Sequence, residues 1–297
     1  QRKVVCEEFK EHYINKPYGD VWHKMRTLAF KSHPYRWMTI GKDLKHIEEA
    51  TLNDVKAFFK KHYCPANAVL VVAGPVKTED VRMMAEKWFG EIPAGDKYDR
   101  RLPQEPAQTE TRRLVVEADV PLDALYMCWH MPARMEPGYQ AVDMLTDILG
   151  SGASSRLHQS LVKEQKLFSN VECYHFGSTD RGLLTIEGKL VTGVTLEAAE
   201  SAVQKEIDQL LTNGVTEDEL QKAKNKTESM IAFEDMSVMN RATSLAHYEL
   251  LGDADMMNTE FARYAAVTIK DVLVQAEQIF RMENLNVMYY RSKPEAV

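Results

Sequence analysis

Apolar and polar residues follow the same pattern at two places in the chain. Thr51 opens the amphipathic stretch TLNDVKAFFKKHYCPAN, which a short apolar run from Ala68 to Val72 follows. Near the other end, Thr268 opens TIKDVLVQAEQIFRMEN, and a second apolar run begins at Asn286. In both copies the apolar positions recur at helical spacing, and an Asp follows the Thr by three residues. The pattern therefore predicts, twice, a helix capped by Thr and then a strand.

A single shift along the chain, the one that moves Thr51 onto Thr268, relates the two copies. We call this shift the repeat offset. Four positions align under it without a gap, which favours a duplicated domain over two unrelated helix–strand units, common as such units are. If the second copy begins near Arg112, the matching start of the first copy would lie about a hundred residues before Gln1. We therefore expect the first domain to be incomplete in this chain.

The remaining pattern predicts an α+β class, in which helices pack on a mostly antiparallel β-sheet in duplicated domains. Residues 92–111 hold three prolines among charged side chains and few large apolar ones, as linkers do. We expect the C-terminal part of the first domain at 1–104, ending in this linker, and a complete second domain at 112–297. Predicted helices cover 2–13, 20–30, 77–89 (capped by Thr78), 139–149, 154–165, 195–212 and 216–233, and predicted strands cover 113–120, 124–131, 169–176, 182–190 and 286–291.

Composition narrows the classes of function. The chain is 44% hydrophobic and 27% charged, which is typical of a globular protein. A net charge of −7 argues against a nucleic-acid partner, and no apolar run is long enough to span a membrane. The four cysteines stand far apart and form no C-x-x-C pair, so we expect reduced, mostly buried thiols and a cytoplasmic location.

A longer motif adds a family resemblance. The stretch from Gly152 to Val171, GASSRLHQSLVKEQKLFSNV, resembles the second-domain segment of the pitrilysin/insulinase-type zinc metallopeptidases, the H-x-x-E-H inverzincins. His33-Pro34-Tyr35, Gly41 and the Thr51 unit resemble the first-domain pattern of that family, in the same order. The resemblance runs from Arg2 to the C-terminus and implies a peptidase that closes two homologous domains around an unfolded peptide.

The resemblance also implies a metal site. In such enzymes two histidines and a glutamate hold zinc, and a second glutamate activates the attacking water. The motif places the third zinc ligand at Glu8, whereas the family's helper carboxylate falls at Gln1. Without the resemblance, Glu8 would be an ordinary solvated glutamate. No H-x-x-E-H can be formed from the nine histidines, so zinc is expected in the intact parent and not in this chain alone.

The second-domain motif departs from the family at two positions. Active members carry an Arg and a Tyr that grip the substrate backbone and the developing oxyanion. In ungapped register these positions are Val162 and Ser169, unless a local slip makes Phe168 a poor substitute for the Tyr. Arg156 and Lys163 are interpreted as structural charges.

Other candidate residues receive structural interpretations. Ser154 and Ser155 are interpreted as a helix N-cap rather than a nucleophile, and His130 as a satisfied strand residue. The methionine-rich run from Met230 to Met257 is expected to form helix core.

Two functions stay open. The first is a fragment of a zinc metalloendopeptidase, inactive as given, that forms a homo- or heterodimer with a homologous subunit. In the heterodimer the partner supplies the Arg and the Tyr. The alternative is a non-catalytic scaffold or pairing subunit of the same family. The absence of the Arg/Tyr pair and the presence of Gln1 in place of a carboxylate favour this alternative.

Overall fold

The structure is a computed structural model that describes residues 1–293. Its helices are α1 Arg2–Phe9, α2 Val21–Ala29, α3 Leu44–Glu49, α4 Leu52–His62, α5 Thr78–Phe89, α6 Tyr139–Gly150, α7 Leu196–Asn213, α8 Glu217–Glu234, α9 Val238–Leu251, α10 Met256–Ala265 and α11 Ile269–Ile279. Its strands are β1 Arg112–Ala118, β2 Ala124–Met131, β3 Phe168–Phe176, β4 Gly182–Leu190 and β5 Leu285–Ser292. Two π-helices, Lys10–Asn15 and His158–Glu164, follow α1 and precede β3. We call residues 1–91 the first unit and residues 112–293 the second unit.

The second unit is built on one five-stranded sheet with the order β1-β5-β2-β4-β3. All pairs are antiparallel except β1 with β5. The helices α6, α7 and α11 cover one face of this sheet, and the main core lies between them and the strands. The predicted α+β class with a mostly antiparallel sheet is therefore confirmed.

Elements of the first unit reappear in the second unit after the repeat offset. The offset moves α4 onto 269–279, the bounds of α11, and the 3₁₀ helix Pro65–Asn67 onto the 3₁₀ helix Met282–Asn284. It moves α1 into α8 and places α2 at the start of α9. Both predicted caps form, because the Thr51–Asp54 and Thr268–Asp271 pairs are reciprocal capping boxes. The offset inferred from the sequence thus relates four elements of the first unit to counterparts in the second.

The predicted strand from Ala68 to Val72 is wrong for this structure. These residues are extended but form no ladder, and Leu70 and Val72 keep 59% and 48% of their surface exposed. The repeat offset places them on β5, which pairs with β1 and β2. A strand needs neighbours for its backbone groups, and no described strand lies beside Ala68 to Val72.

The expected methionine core is wrong as well. Met230, Met236 and Met239 expose 51%, 77% and 73% of their surface at the junction of α8 and α9. The last buried residue of α8 is Thr227, and beyond it only the half-buried Ile231 of this helix still packs against the main core.

Two predicted caps differ in detail. Thr78 is the first residue of α5 and makes no cap hydrogen bond. The Ser155 hydroxyl donates to the Gly152 carbonyl at 2.8 Å, and Ser154 accepts from Lys222, so neither serine caps the helix after them.

The helix α2 joins the two units, because it packs on the second face of the sheet. Val21, Met25 and Ala29 of α2 are buried against Tyr126 and Met288. The Glu105 carboxylate, in the linker, accepts the backbone N–H groups of residues 31, 32 and 33 at 2.7–2.9 Å. Among the described residues, no helix is both long and apolar enough to cross a bilayer.

Candidate functional site

Glu8, the residue proposed to bind zinc, lies on the outer face of α1. On the inner face, Cys6 and Phe9 are buried, and the Phe9 ring meets His23 of α2 edge-on with 5.5 Å between centroids. Glu8 is exposed, and no described residue donates a hydrogen bond to its carboxylate, while its neighbour Glu7 pairs with Lys10 at 2.8 Å. The fold thus leaves the Glu8 carboxylate free to bind a ligand.

The backbone changes its winding directly after Glu8. The π-helix Lys10–Asn15 continues α1, and π-helical turns are rare and frequent at functional sites. The second π-helix, His158–Glu164, contains Val162. Of these two π-helices, the first thus begins two residues after Glu8, and the second lies within the segment from Gly152 to Val171.

The structure gives Val162 and Ser169 different surroundings. Val162 is partly buried against the main core of the second unit. Ser169 is exposed near the start of β3, and its hydroxyl donates to the Lys189 carbonyl at 3.1 Å. Neither side chain offers a cation or a phenol to a substrate. The assignment of these positions remains a prediction.

Arg156 holds the motif segment to the turn between α7 and α8. Its guanidinium donates to both carboxylate oxygens of Glu219, at 2.6 and 2.7 Å, and to the Gly214 carbonyl at 2.8 Å. Glu219 also accepts the backbone N–H of Thr216 in the capping box of α8. The hydrogen bonds from Arg156 come first among the causes that lower the pKa of Glu219 to about 2. Arg156 has the structural role expected from the sequence; Lys163 is exposed.

Two polar networks join side chains that are far apart in the chain, so the sequence does not predict them. His33 Nε2 lies 3.2 Å from the Asp180 carboxylate, and Arg100 donates to the same group, which lowers the pKa of Asp180. In the second network, Asp143 accepts from His175 at 3.0 Å and from Tyr264 at 2.7 Å. Burial alone would raise the pKa of Asp143, but these hydrogen bonds hold it below its usual value. No short spacing could have revealed either network.

His130 is a satisfied strand residue. Its Nε2 lies 3.1 Å from the Ala29 carbonyl, and burial lowers the pKa of its imidazole. Burial also lowers the pKa of His23 on α2. Its Nε2 lies 3.2 Å from the Gly41 carbonyl, but its buried Nδ1 has no hydrogen-bond partner among the described residues.

The described residues do not by themselves form a zinc site. Zinc in a peptidase takes three protein ligands of the His, Cys or carboxylate type. No group of three or more such side chains that could hold a metal occurs among residues 1–293. Of the three ligands that such a site needs, Glu8 can supply one.

Known proteins resemble the chain over nearly its whole length. The zinc protease PqqE of Helicobacter pylori is 26% identical over 284 residues, which are 95% of this chain and 64% of PqqE. Subunit 1 of the mitochondrial cytochrome b-c1 complex of Saccharomyces cerevisiae is 21% identical over 91% of this chain and 61% of that subunit. The crystal structure of a protease from Helicobacter pylori superposes with a TM-score of 0.90 at 25% identity, covering 98% of this chain and 71% of that one. The chain thus spans a little under two thirds of the length of both sequence relatives.

The family described as "Peptidase M16 inactive domain" matches residues 49–227, more than half of the chain. The match includes the capped helix α4, the linker, the motif segment with Arg156, and most of the sheet. Together with the fold and the order of the motifs, it shows that this chain belongs to the peptidase M16 family, of pitrilysin type.

Proposed function

We propose that the chain is part of a zinc-dependent metalloendopeptidase that hydrolyses peptides or unfolded polypeptides. The observation that carries this proposal is Glu8, an exposed carboxylate without a partner at the ligand position of the family motif. The other zinc ligands and the catalytic base belong to sequence outside the 297 residues, so the chain alone is inactive. A relative that is 26% identical is named a zinc protease, which supports zinc in the parent protein.

We further propose the domain division 1–104 and 112–297. In support of it, α4 and α5 contain no buried residue, whereas α11, the counterpart of α4, buries Val272, Gln275, Ala276 and Ile279. A helix with an apolar stripe is stabilised by burying it. The first unit thus has the helices of a domain without the sheet that they would cover.

A partner subunit follows from the second-unit motif. Val162 and Ser169 lack the donors that stabilise an oxyanion, so the active form uses a homologous subunit that carries them. The second candidate function is a non-catalytic scaffold subunit. It is favoured by the same two residues and by the likeness to a subunit of the cytochrome b-c1 complex.

Metal content distinguishes the two functions. The full-length parent and this chain are dialysed side by side, and zinc is measured in each. The peptidase proposal predicts about one zinc per parent chain, lost in the Glu8→Gln variant and kept in Glu11→Gln, which changes an exposed glutamate shortly after α1. A parent without zinc would support the scaffold instead, and zinc retained in Glu8→Gln would remove Glu8 from the site.

A further inference from the structure

The junction of α8 and α9 is an apolar and acidic projection of the second unit. We call residues 228–239 the junction tip. None of them is buried, and all of its large apolar residues except the half-buried Ile231 expose half or more of their surface: Met230 51%, Phe233 72%, Met236 77%, Val238 52% and Met239 73%. Such a concentration of exposed apolar side chains on a folded protein marks an interaction surface. Methionines add a deformable surface that adapts to different partners.

The charges of the tip all have one sign. Glu228, Glu234 and Asp235 lie within it, residues 228–239 contain no Lys, Arg or His, and these three carboxylates have no ion pair among the described residues. The lysines of α8 do not compensate them, because each reaches back to the body of the protein. Lys226 binds Asp147 and Ser151 at 2.6 and 2.7 Å, Lys224 binds the Ala265 carbonyl, and Lys222 binds Ser154.

We propose that the junction tip docks a cationic, amphipathic peptide segment, whose apolar side chains rest on the methionines and Phe233 and whose Lys or Arg side chains meet the three carboxylates. Charge complementarity selects this occupant, since unpaired carboxylates beside an apolar surface disfavour an acidic or purely apolar partner. An amphipathic helix that lays its apolar face on such a surface is a common recognition mode.

The exposed apolar surface of α4 does not fit the same partner. On α4, the exposed Val55, Phe58 and Phe59 alternate with Lys56, Lys60 and Lys61, which would repel a cationic peptide. The two surfaces thus differ in charge while both are apolar, and α4 supplies an internal control for non-specific hydrophobic binding.

The junction tip has a counterpart in the first unit. The repeat offset relates it to residues 11–22, the segment that follows Glu8. The proposal does not depend on zinc or on catalysis, because every residue it uses belongs to the second unit and all are present in this chain.

Binding of a fluorescein-labelled 14-residue peptide of leucine and lysine, patterned as an amphipathic helix, tests the proposal by fluorescence anisotropy. We expect saturable binding to the 297-residue chain that weakens with salt. We expect two variants of the tip to bind the peptide about tenfold or more weakly, as for central contacts of an interface. One variant carries Met236→Ser and Met239→Ser, and the other reverses charge through Glu234→Lys and Asp235→Lys. The matched change Phe58→Ser, Phe59→Ser on α4 should alter the affinity less than about twofold. All these residues are exposed, and circular dichroism checks that each variant stays folded.

Three results of the binding assay would overturn the proposal. The first is no binding up to millimolar protein, and the second is equal affinity for a glutamate version of the peptide. The third is loss of affinity in the α4 variant with none in the tip variants. The other possible occupant of the tip is a second copy of the chain, and sedimentation velocity tests for it. If the chain self-associates and the tip variants do not, the surface binds a second copy, and the peptide assignment is refuted.

Discussion

Replacing Glu219 by Gln tests whether the clamp on the motif segment works through charge. Glu219 binds Arg156 through two hydrogen bonds and closes the capping box of α8. The Gln side chain keeps the size and some hydrogen bonding, but it cannot form an ion pair with the guanidinium. Arg156 would then lose its ionic partner while its side chain stays only 21% exposed.

The magnitude follows from the pKa of Glu219. That pKa is about 2 in the folded chain against 4.5 for a free carboxyl, and each pH unit between the two values is worth ~1.4 kcal/mol of folding free energy. The carboxylate therefore contributes at most ~3.5 kcal/mol. Because Glu219 keeps 29% of its side chain exposed, water screens the pair, and we expect ~1.5 kcal/mol of destabilisation in the variant at pH 7.

The sign of the pH dependence is fixed. A carboxyl whose pKa is lower in the folded state stabilises the fold above its unfolded pKa and loses that contribution as the pH falls. The difference in unfolding free energy between wild type and Glu219→Gln should thus be constant above about pH 5.5 and shrink steadily below pH 4.5, towards zero near pH 2.

Urea unfolding followed by circular dichroism measures this difference at several pH values. A double-mutant cycle with Arg156→Met assigns the energy to the pair. Glu217→Gln, an exposed carboxyl in the first turn of the same helix, controls for the helix dipole. A cost of Glu219→Gln that stays the same from pH 7 to pH 3, or a coupling energy near zero in the cycle, would refute the ionic account of this clamp.

Three further changes have expected outcomes. Thr268→Ala removes the cap of a packed helix and should lower the unfolding free energy by ~1 kcal/mol in urea, whereas Thr51→Ala, on α4, which buries nothing, should change it far less. Equal costs would show that α4 is part of the cooperative core. Leu145→Ala empties a site with no exposed surface and should cost ~3 kcal/mol in the same assay; less than ~1 kcal/mol would mean that the α6 core collapses readily. With a thiol reagent at pH 8, only Cys64 should react in the native chain, because Cys6, Cys128 and Cys173 are buried. Burial also raises the pKa of Cys128 to about 12, which keeps this thiol protonated. Rapid labelling of two or more thiols would contradict the structure.

The sequence predicts the sheet of the second unit closely because every strand there has its neighbours. The predicted bounds of β2 and β4 agree with the structure to the residue, and those of β1, β3 and β5 agree within two residues. A strand that is covered on both faces reads as a nearly continuous apolar run, as β2 does, and here α2 and the helices of the second unit cover the two faces. The free thiols and both capping boxes were also predicted correctly.

The failures have a common cause. Periodicity tells which face of an element is apolar, and it carries no information on whether another element covers that face. For this reason Ala68 to Val72 was predicted as a strand and Met236 as core, although both are exposed. The clamp between Arg156 and Glu219 could not be predicted either, since 63 residues separate the two side chains and no spacing rule joins them.

The comparison of α4 with α11 explains why the same pattern leads to different packing. The repeat offset relates Val55, Phe58 and Phe59 to Val272, Gln275 and Ala276. The three residues of α11 are buried against the sheet, whereas those of α4 expose 58–59% of their surface. Full burial of a Phe or Val is worth ~1.5–3 kcal/mol, so α4 leaves several kcal/mol of apolar burial unrealised. The two helices have the same length and the same kind of cap, so the difference in burial comes from the sheet beside α11. A sheet packed on α4 would stabilise the first unit by that amount.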